Sequence, residues 1–392
     1  MDNKPSILFT LPWSVSATGG VNQVVLNLAR ETERRGQMRP IIVCSDWDQE
    51  GFRFGEIDGI TTVSTRLRTP VASKHAIRNL AGFAFTMRKS LATWQDFMRH
   101  HRVRVVNAHY AISGYLLFSL LRRQDRADFR LIHSLHGADL SGIQAAGAAT
   151  RATDRWMLRQ ADHVVCCSDD LSLQARATLN IDPVPVSTVH NGIDFAELDH
   201  AKHHAYRPHT GEFDNYLVNV ASFTPEKGQN VLIDAFAILV REGLQSALVL
   251  IGRSTPHLAT LRQQVRKLGL HERVFFITDL DHARTLAAIR KARLFVLPSR
   301  AEPFGIVLLE AAYMRTPIVA TQSGGVPEVL GRYYPHLVKP DDPAALAQTI
   351  DDTLFNPTET QRLVRQLRRQ VGSRFSWSRA YDSYEQMWRD AY

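Results

Sequence analysis

Cysteine is scarce in this chain of 392 residues: only Cys44, Cys166 and Cys167 occur, and each lies in or near an apolar run. Their spacing suits neither a disulfide framework nor a metal site, so we expect reduced, buried thiols in a cytoplasmic protein. The sequence has no stretch of 18 apolar residues, which argues against a membrane-spanning helix. The N-terminus leads directly into an apolar strand pattern at 6–11, so we expect no signal peptide.

Several common catalytic signatures are also missing. The sequence has no Walker A loop, no G-x-S-x-G nucleophile elbow and no G-x-G-x-x-G dinucleotide loop. Two Asp-x-Asp strings, at 46–48 and 279–281, lie in polar loops, and Asp281 is predicted to cap a helix that starts at His282. Four histidines between 197 and 215 have no flanking element that would fix a metal geometry. We therefore expect neither a metal nor a cofactor.

Acidic residues are rare between Arg66 and Arg130. The whole chain has a formal charge of +8, but this segment alone holds thirteen Lys and Arg against three Asp, which gives +10 and leaves −2 for the remainder. Its helical pattern, from about Ile77 to Met98, has one apolar face with cations on the polar side and at the ends. Such a segment indicates an anionic partner, and we expect an anionic membrane surface rather than nucleic acid.

Short apolar runs alternate with helical patterns along the chain. The predicted strands lie at about 6–11, 40–44, 60–64, 103–107, 130–135, 163–167, 186–190, 216–221, 247–251, 273–277, 294–297 and 317–320. The alternation predicts an α/β fold with two Rossmann-like, doubly wound domains that face each other across a cleft. We place the first domain at 1–195, a polar, irregular linker at 196–215, the second domain at 216–375 and a final helix at 376–392.

The most informative stretch is 299–310. It follows an apolar run that predicts a buried strand, and it enters a helical pattern, so Glu302 lies on a strand-to-helix loop and Glu310 lies in the helix. Between the two carboxylates lie the backbone N–H groups of Phe304, Gly305 and Ile306. Helix N-termini bind phosphate, and carboxylates bind polyols, so the combination indicates a sugar nucleotide. The simpler interpretation is a buried Glu302 paired with an arginine.

Four further positions carry weaker signals. Lys227 lies just before a predicted helix, where a cation opposes the helix dipole and so indicates a bound anion. Gly324-Gly325 and Gly19-Gly20 each open a helix, although both also fit plain turns. His136 follows a strand, where an imidazole can donate to a sugar hydroxyl or to a developing anion, although a lone histidine is more often structural.

Together these motifs resemble the retaining GT-B glycosyltransferases of family four, the glycosyl transferases group 1. The resemblance rests on the E-x7-E element of Glu302 and Glu310, on the His-Gly-x-Asp string at 136–139 and on the loop at 223–228. It implies that Lys227 and the glycine loops border the donor diphosphate, that Glu302 and His136 contact the donor sugar, and that Glu310 contacts the ribose. It also implies that the final helix crosses back onto the first domain, which binds the acceptor.

The chain departs from this family at Ser222, where an arginine is usual. Arg253 lies in an equivalent loop after the next predicted strand, so it is a candidate for the missing phosphate cation, and Arg300 is a weaker one. We therefore include Ser222 and Arg253 in the expected donor-binding set.

The resemblance implies that a hexosyl unit passes from a nucleoside diphosphate sugar to an acceptor hydroxyl with retention. A donor phosphate oxygen would take the acceptor proton, so neither a metal nor a protein base is needed. Because of the basic segment at 66–130, we expect a lipid-linked or lipopolysaccharide-type acceptor and a peripheral location at the inner membrane surface. Two alternatives remain open: a nucleotide-sugar 2-epimerase on the same fold, and a non-catalytic basic adaptor for membrane or nucleic acid.

Overall fold

The computed structural model describes residues 4–16, 19–67, 76–124 and 128–389, with the backbone alone for 76–85. The chain divides into two compact units. The N-terminal unit comprises Met1–Asn191 together with Trp377–Tyr392, and the C-terminal unit comprises Gly192–Ser376. Each unit is built on one sheet, as the alternation of strand and helix patterns predicts.

The N-terminal unit has an eight-stranded sheet in the order β3-β4-β2-β1-β5-β6-β7-β8, parallel except for β3. Its elements are β1 (Ser6–Leu11), α1 (Gly20–Arg35), β2 (Arg39–Ser45), β3 (Arg53–Ile57), β4 (Ile60–Thr65), α2 (Ala76–His100), β5 (Val103–His109), α3 (Leu116–Arg123), β6 (Arg130–Leu135), α4 (Ala138–Ala145), α5 (Ala148–Leu158), β7 (His163–Cys166), α6 (Asp169–Leu179) and β8 (Val186–Thr188). The central strand β1 is buried throughout, and β6 is buried from Leu131 to Leu135, as expected for parallel strands covered on both faces.

The C-terminal unit has a six-stranded parallel sheet in the order β11-β10-β9-β12-β13-β14. Its elements are α7 (Phe195–Ala201), β9 (Tyr216–Val220), α8 (Gln229–Arg241), β10 (Ala247–Gly252), α9 (His257–Lys267), β11 (Val274–Thr278), α10 (His282–Lys291), β12 (Leu294–Leu297), α11 (Ile306–Tyr313), β13 (Ile318–Thr321), α12 (Val326–Leu330), β14 (Leu337–Val338), α13 (Pro343–Phe355) and α14 (Pro357–Arg374). A core of Leu217, Phe236, Leu248 and Val296 joins sheet and helices.

The last helix, α15 (Trp377–Trp388), belongs to the N-terminal unit and packs on α1. Trp388 is fully buried, with its ring edge-on to Phe9 at 6.4 Å between centroids. The hydroxyls of Tyr384 and Ser134 are 3.1 Å apart, so the helix is tied to β6 by a buried hydrogen bond as well as by apolar packing. Trp377, Tyr381, Tyr384 and Trp388 recur at helical spacing, and all four are buried core residues.

Two parts of the predicted organisation are wrong. The segment at 196–215 is not irregular throughout, because α7 runs through Ala201; Asp194 caps it by accepting from the N–H groups of Ala196 and Glu197, and Leu198 and Ala201 are buried. Two strands were not predicted: β3, a largely exposed edge strand that pairs antiparallel with β4, and the two-residue strand β14.

The remaining expectations concern thiols and apolar faces. All three cysteines are free and buried. In α2, Leu91, Trp94 and Met98 are buried, as the apolar stripe predicts, whereas the start of the stripe from Ile77 to Ala84 lies outside the described side chains. Within the residues that the structure describes, no helix is both long enough and apolar enough to cross a membrane.

Candidate functional site

The strand order of the C-terminal unit reverses at one place in its sheet. β9 pairs with β10 on one side and with β12 on the other. The strand order continues outward to β11 beyond β10, and to β13 and β14 beyond β12. Open parallel sheets bind ligands beyond the carboxyl ends of the strands at such a reversal. The loops that leave β9 and β12 there carry Lys227 and Glu302, respectively.

Lys227 and Glu302 meet at this reversal point. Lys227 Nζ donates a hydrogen bond to Glu302 Oε2 at 2.8 Å, and the two side chains are 20% and 11% exposed. Ser299 Oγ donates to the same carboxylate oxygen at 3.2 Å. Glu302 is therefore buried and paired, but with a lysine from the neighbouring loop rather than with an arginine. A cation and a carboxylate thus lie side by side at the edge where a ligand of this sheet would bind.

Backbone hydrogen bonds tie four loops of this edge together. They run from Arg300 N to Glu226 O at 2.8 Å, from Gly325 N to Glu302 O at 2.9 Å and from Phe223 N to Arg253 O at 3.3 Å. The loops after β9, β10, β12 and β13 therefore satisfy one another's polar groups instead of relying on water. This fixes the positions from which Lys227 and Glu302 extend.

Glycine is required where these loops touch. Gly324 has a φ of 50°, and a Cβ on it would lie 2.1 Å from Glu302 O. Gly228 has a φ of 64°, and a Cβ there would lie 2.1 Å from Pro298 O. No other residue type fits either position without moving the backbone. The predicted glycine loop at 324–325 therefore packs directly against the loop that carries Glu302.

Glu310 lies on α11 and is held by a residue that sequence reasoning did not select. His282 Nε2 is 2.9 Å from Glu310 Oε1, and His282 Nδ1 is 2.7 Å from Glu197 Oε1. Burial alone would lower the pKa of His282, but the hydrogen bonds to Glu197 and Glu310 outweigh it and raise this pKa to about 10. His282 is therefore an imidazolium at neutral pH, and Glu310 is a paired carboxylate.

The three candidate positions for a phosphate cation differ in their surroundings. The Ser222 side chain is half-buried, and Arg253 is exposed, with no side-chain hydrogen bond to any described residue. Arg300 is already occupied: it bonds Asp341 at 2.6 Å, Asn230 at 3.0 Å and the carbonyl of Pro225. The guanidinium of Arg253 is thus uncommitted among the described residues, whereas Arg300 holds the loop together.

The predicted donor-binding residues at the start of α11 divide into two kinds. The Phe304 side chain is only 2% exposed and lies edge-on to Phe375, so it is a core residue and offers a ligand no ring surface. Gly305, with a φ of 90°, precedes the helix, no side chain caps this helix start, and Ile306 is half-buried. The backbone at Gly305 and Ile306 is therefore the part of this segment suited to an anion.

In the N-terminal unit, His136 follows β6 and pairs with a second histidine. His136 Nε2 is 3.1 Å from His109 Nδ1, and the two rings stack. Burial lowers the pKa of His136 to about 4 and, together with the neighbouring His136 ring, lowers the pKa of His109 well below its usual range. Both rings are neutral at pH 7. Within the described part of the chain, His136 Nδ1 has no hydrogen-bond partner.

Asp139 organises the loop that presents His136. Its carboxylate accepts hydrogen bonds from the backbone N–H groups of Ala111, His136, Gly137 and Leu140. Burial raises the pKa of Asp139 to about 6, and these four hydrogen bonds limit the rise. Asp139 therefore orients the loop that carries His136.

The other predicted glycine pair lies at the start of α1. Gly20 begins the helix, no side chain caps it, and a Cβ built on Gly19 would meet no atom within 4 Å. The loop therefore has open space beside Gly19, as close approach of a bound group requires.

Acids in the fold pair with five arginines of the basic segment at 66–130. The ion pairs are Arg66–Glu50, Arg99–Asp96, Arg104–Asp128, Arg122–Asp162 and Arg130–Asp162. Glu50 and Asp162 lie outside the segment, so the local charge is smaller than the sequence count implies. Arg88 and Lys89 are exposed and have no ion pair with any described residue. Arg68, Lys74 and Arg126 lie outside the described residues, as does the side chain of Arg78.

Sequence reasoning missed three functional candidates: Glu197, His282 and His109. A signal existed for two of them. His282 opens a helix directly after the predicted cap Asp281, beyond the carboxyl end of β11, and His109 ends β5 at the corresponding edge of the other sheet. Polar residues at the carboxyl ends of parallel strands are candidates for ligand contact. Glu197 had no such signal because it lies in a segment interpreted as a linker.

Comparison with known proteins identifies the family. Residues 206–370 match the family Glycosyl transferases group 1, and residues 18–197 match Glycosyltransferase Family 4. Glycogen synthase of Mycobacterium tuberculosis is 31% identical over 283 residues, which cover 71% of this chain and 67% of that protein. The chain belongs to glycosyltransferase family four. N-acetyl-alpha-D-glucosaminyl L-malate synthase of Bacillus anthracis is 26% identical over 237 residues, which cover 60% of this chain and 61% of that protein.

Solved structures identify the fold of this glycosyltransferase as GT-B. Sucrose-phosphate synthase of Thermosynechococcus elongatus has a TM-score of 0.77 at 21% identity and covers 99% of both chains. Anabaena HepE in complex with UDP and glucose has a TM-score of 0.73 at 19% identity and covers 98% of this chain and 100% of its own. Two Rossmann-like units are the architecture of this fold, as the alternation of strands and helices predicts.

Proposed function

We propose that this glycosyltransferase moves a hexosyl unit from a nucleoside diphosphate sugar to an acceptor hydroxyl, with retention of configuration and without a metal ion. One observation carries the proposal: Lys227 and Glu302 lie 2.8 Å apart where the strand order of the C-terminal unit reverses. A cation beside a carboxylate suits a diphosphate beside a sugar, because the cation pairs with phosphate oxygens while the carboxylate accepts from hydroxyls.

The proposed chemistry takes place on one face of the donor sugar. The bond between the anomeric carbon and the diphosphate oxygen breaks, the acceptor oxygen bonds to the anomeric carbon from the same face, and the acceptor proton passes to the departing diphosphate. No protein base is needed, so the protein contributes positioning and electrostatic stabilisation. Lys227, Arg253 and the backbone at Gly305 and Ile306 stabilise the diphosphate.

The remaining roles are assigned to Glu302, Glu310 and His136. Glu302 accepts hydrogen bonds from hydroxyls of the donor sugar, and Glu310 accepts hydrogen bonds from hydroxyls of the ribose. His136 is neutral, so it contributes a hydrogen bond without adding positive charge, and its Nδ1 is the atom available for this. The relatives support a nucleotide-sugar donor, since the HepE structure holds UDP and glucose.

Donor identity is the first test. A thermal-shift panel of UDP-, GDP- and ADP-hexoses should yield one clear stabilising donor. Hydrolysis of that donor should fall by about 100-fold or more in Glu302→Ala, and Lys227→Ala should weaken both donor binding and turnover. Addition of EDTA should leave the rate unchanged, and the product anomer seen by NMR should match the donor. Near-normal rates in both variants would reject the site, and a C2-inverted donor would identify an epimerase instead.

We further propose an acceptor at an anionic membrane surface, as a lipid-linked or lipopolysaccharide-type glycan would be. Arg88 and Lys89, exposed and unpaired among the described residues, are the part of the basic segment best placed to dock. Each such cation contributes about 1 kcal/mol near an anionic leaflet. Sedimentation with anionic and neutral liposomes over a salt series is the test. Equal partitioning onto both kinds of vesicle, or no binding at low salt, would reject electrostatic docking and favour an acceptor in solution. Arg88→Gln with Lys89→Gln should reduce the preference for anionic vesicles.

A further inference from the structure

Three side chains from three helices form a cluster in the C-terminal unit: Glu197 on α7, His282 on α10 and Glu310 on α11. The imidazole of His282 lies between the two carboxylates, 2.7 Å from Glu197 and 2.9 Å from Glu310. Asp281 caps α10 by accepting from Arg284 N at 2.8 Å, so the helix starts at a fixed residue and His282 cannot shift along it.

The contact geometry determines what Glu310 can still bind. His282 occupies Oε1 of Glu310, whereas Oε2 accepts no hydrogen bond from any residue in the described part of the chain. The Glu310 side chain is 10% exposed, so its carboxylate has one anchored oxygen and one oxygen free to accept ligand hydroxyls. An anchored carboxylate does not lose rotamer freedom when a ligand binds, which favours selective recognition.

We propose that the Glu197–His282 pair is a positioning device that orients Glu310 so that the site selects ribonucleotides over deoxyribonucleotides. This inference rests on the proposed function, in which Glu310 contacts the ribose of the donor. His282 is a positioning residue in this scheme because it acts through Glu310, and Glu197 in turn fixes the imidazole ring.

The electrostatics agree with this geometry. Two groups face His282: Glu197 from α7 and Glu310 from α11. Strand β9 also packs against α10, but its Tyr216 donates its hydroxyl hydrogen bond to Ala288 O. The two carboxylates raise the pKa of His282 to about 10 against the effect of burial, so the ring stays charged and both its nitrogens donate throughout the physiological range. The charge of Glu310 is thereby compensated beside the site of an anionic ligand.

The test compares nucleotides that differ by one hydroxyl. The probes are UDP, GDP and ADP, of which the one that stabilises the protein most is used, together with its 2′-deoxy and 3′-deoxy forms. Calorimetry gives the affinity ratio of the ribose form to the better deoxy form for the wild type, Glu310→Gln, His282→Gln and Glu197→Gln. His271→Gln, at an exposed histidine of the same unit, is the matched control.

The wild type and His271→Gln should prefer the ribonucleotide by roughly 10- to 100-fold, because a lost hydrogen bond to a charged group has about this effect. His282→Gln should reduce the preference to within about threefold, and Glu197→Gln should give an intermediate ratio. A general loss of stability would weaken all three nucleotides equally and leave the ratio intact, so the ratio reports positioning.

Two results separate the possible failures. If Glu310→Gln keeps the wild-type ratio, Glu310 does not contact the ribose, and that part of the proposed function fails with the inference. If Glu310→Gln removes the preference but His282→Gln retains it, Glu310 has its proposed role and the positioning inference alone is overturned.

Discussion

The contact between Lys227 and Glu302 allows a structural role and a functional role to be distinguished by a double-mutant cycle. The variants are Lys227→Met, Glu302→Gln and the combination of both. If the pair serves only to hold two loops together, removal of both charges should restore much of what either single change removes. If each residue contacts the donor, the double variant should regain stability but not activity.

The expected magnitudes follow from the burial of the pair. Breaking a buried ion pair costs about 3–5 kcal/mol and an exposed pair about 0–1 kcal/mol. With side chains 20% and 11% exposed, Lys227→Met should cost about 2 kcal/mol, since it leaves Glu302 with Ser299 alone. Glu302→Gln should cost about 1 kcal/mol, because glutamine keeps an acceptor for Lys227. The coupling energy should be about 1 kcal/mol in favour of the double variant.

Urea unfolding measures the stability of the four proteins, and hydrolysis of the donor selected by thermal shift measures their activity. The rate of donor hydrolysis should fall by about 100-fold or more in Lys227→Met, in Glu302→Gln and in the double variant. Asp341→Asn is the matched control, because it removes the acid of the more exposed Arg300–Asp341 pair of the same region while asparagine tolerates the positive φ of 60° at this position. A double variant that hydrolyses the donor at nearly the wild-type rate would refute the proposal that Lys227 and Glu302 contact the donor.

Gly324→Ala should cost at least about 1 kcal/mol in urea unfolding, because alanine disfavours a φ of 50° and its Cβ would lie 2.1 Å from a carbonyl oxygen. Gly372→Ala, inside α14 with open space around it, should instead be neutral or stabilising by up to ~1 kcal/mol. If Arg253 supplies the cation that Ser222 lacks, Arg253→Ala should raise the donor KM and Ser222→Arg should partly restore it; a donor-bound structure with Arg253 directed away from the phosphates would contradict this. Burial lowers the pKa of His133 to about 4, so the unfolded chain binds a proton below pH 6.5 that the folded chain does not, and stability should fall as the pH drops from 6.5 towards 4. The melting temperature as a function of pH should show this loss, and His133→Leu should reduce it.

The parts of the fold that could be predicted from sequence are those that local physics determines. Strands predicted at 6–11, 130–135 and 294–297 coincide with β1, β6 and β12, because a strand buried on both faces is a short continuous apolar run. The cap at Asp281 was predicted correctly because a side chain that accepts from the third residue along acts within one helical turn.

The hairpin of β3 and β4 was not predicted, although the sequence contains a local signal for its turn. β3 is an exposed edge strand and lacks an apolar face, so its periodicity is weak. However, Asp58 and Gly59 link it to β4 with φ angles of 51° and 78°, and an Asp-Gly pair at a two-residue hairpin turn is a strong sequence signal. The helix α7 was obscured in a different way, because its buried positions are only Leu198 and Ala201 within a polar segment.

The side-chain contacts of the site could not be predicted from the sequence for a different reason. His282 bonds residues 85 and 28 positions away, and Lys227 bonds a residue 75 positions away, so these contacts depend on strand order. A single sequence indicates that strands exist but does not specify which loops the sheet brings together. The E-x7-E spacing predicted the two carboxylates, whereas the cations that hold them required the structure.

Both carboxylates of the E-x7-E element are paired with cations, and the two pairs should respond differently to a donor. Lys227 is 2.8 Å from Glu302 and lies where a diphosphate is proposed, so its ammonium must redistribute its hydrogen bonds when phosphate binds. His282 is fixed between Glu197 and Glu310, so its contacts should persist. Lys227→Met should therefore weaken ribose and deoxyribose forms of the nucleotide equally, whereas His282→Gln should change their ratio. Equal effects of both variants on this ratio would mean that the two cations share one role.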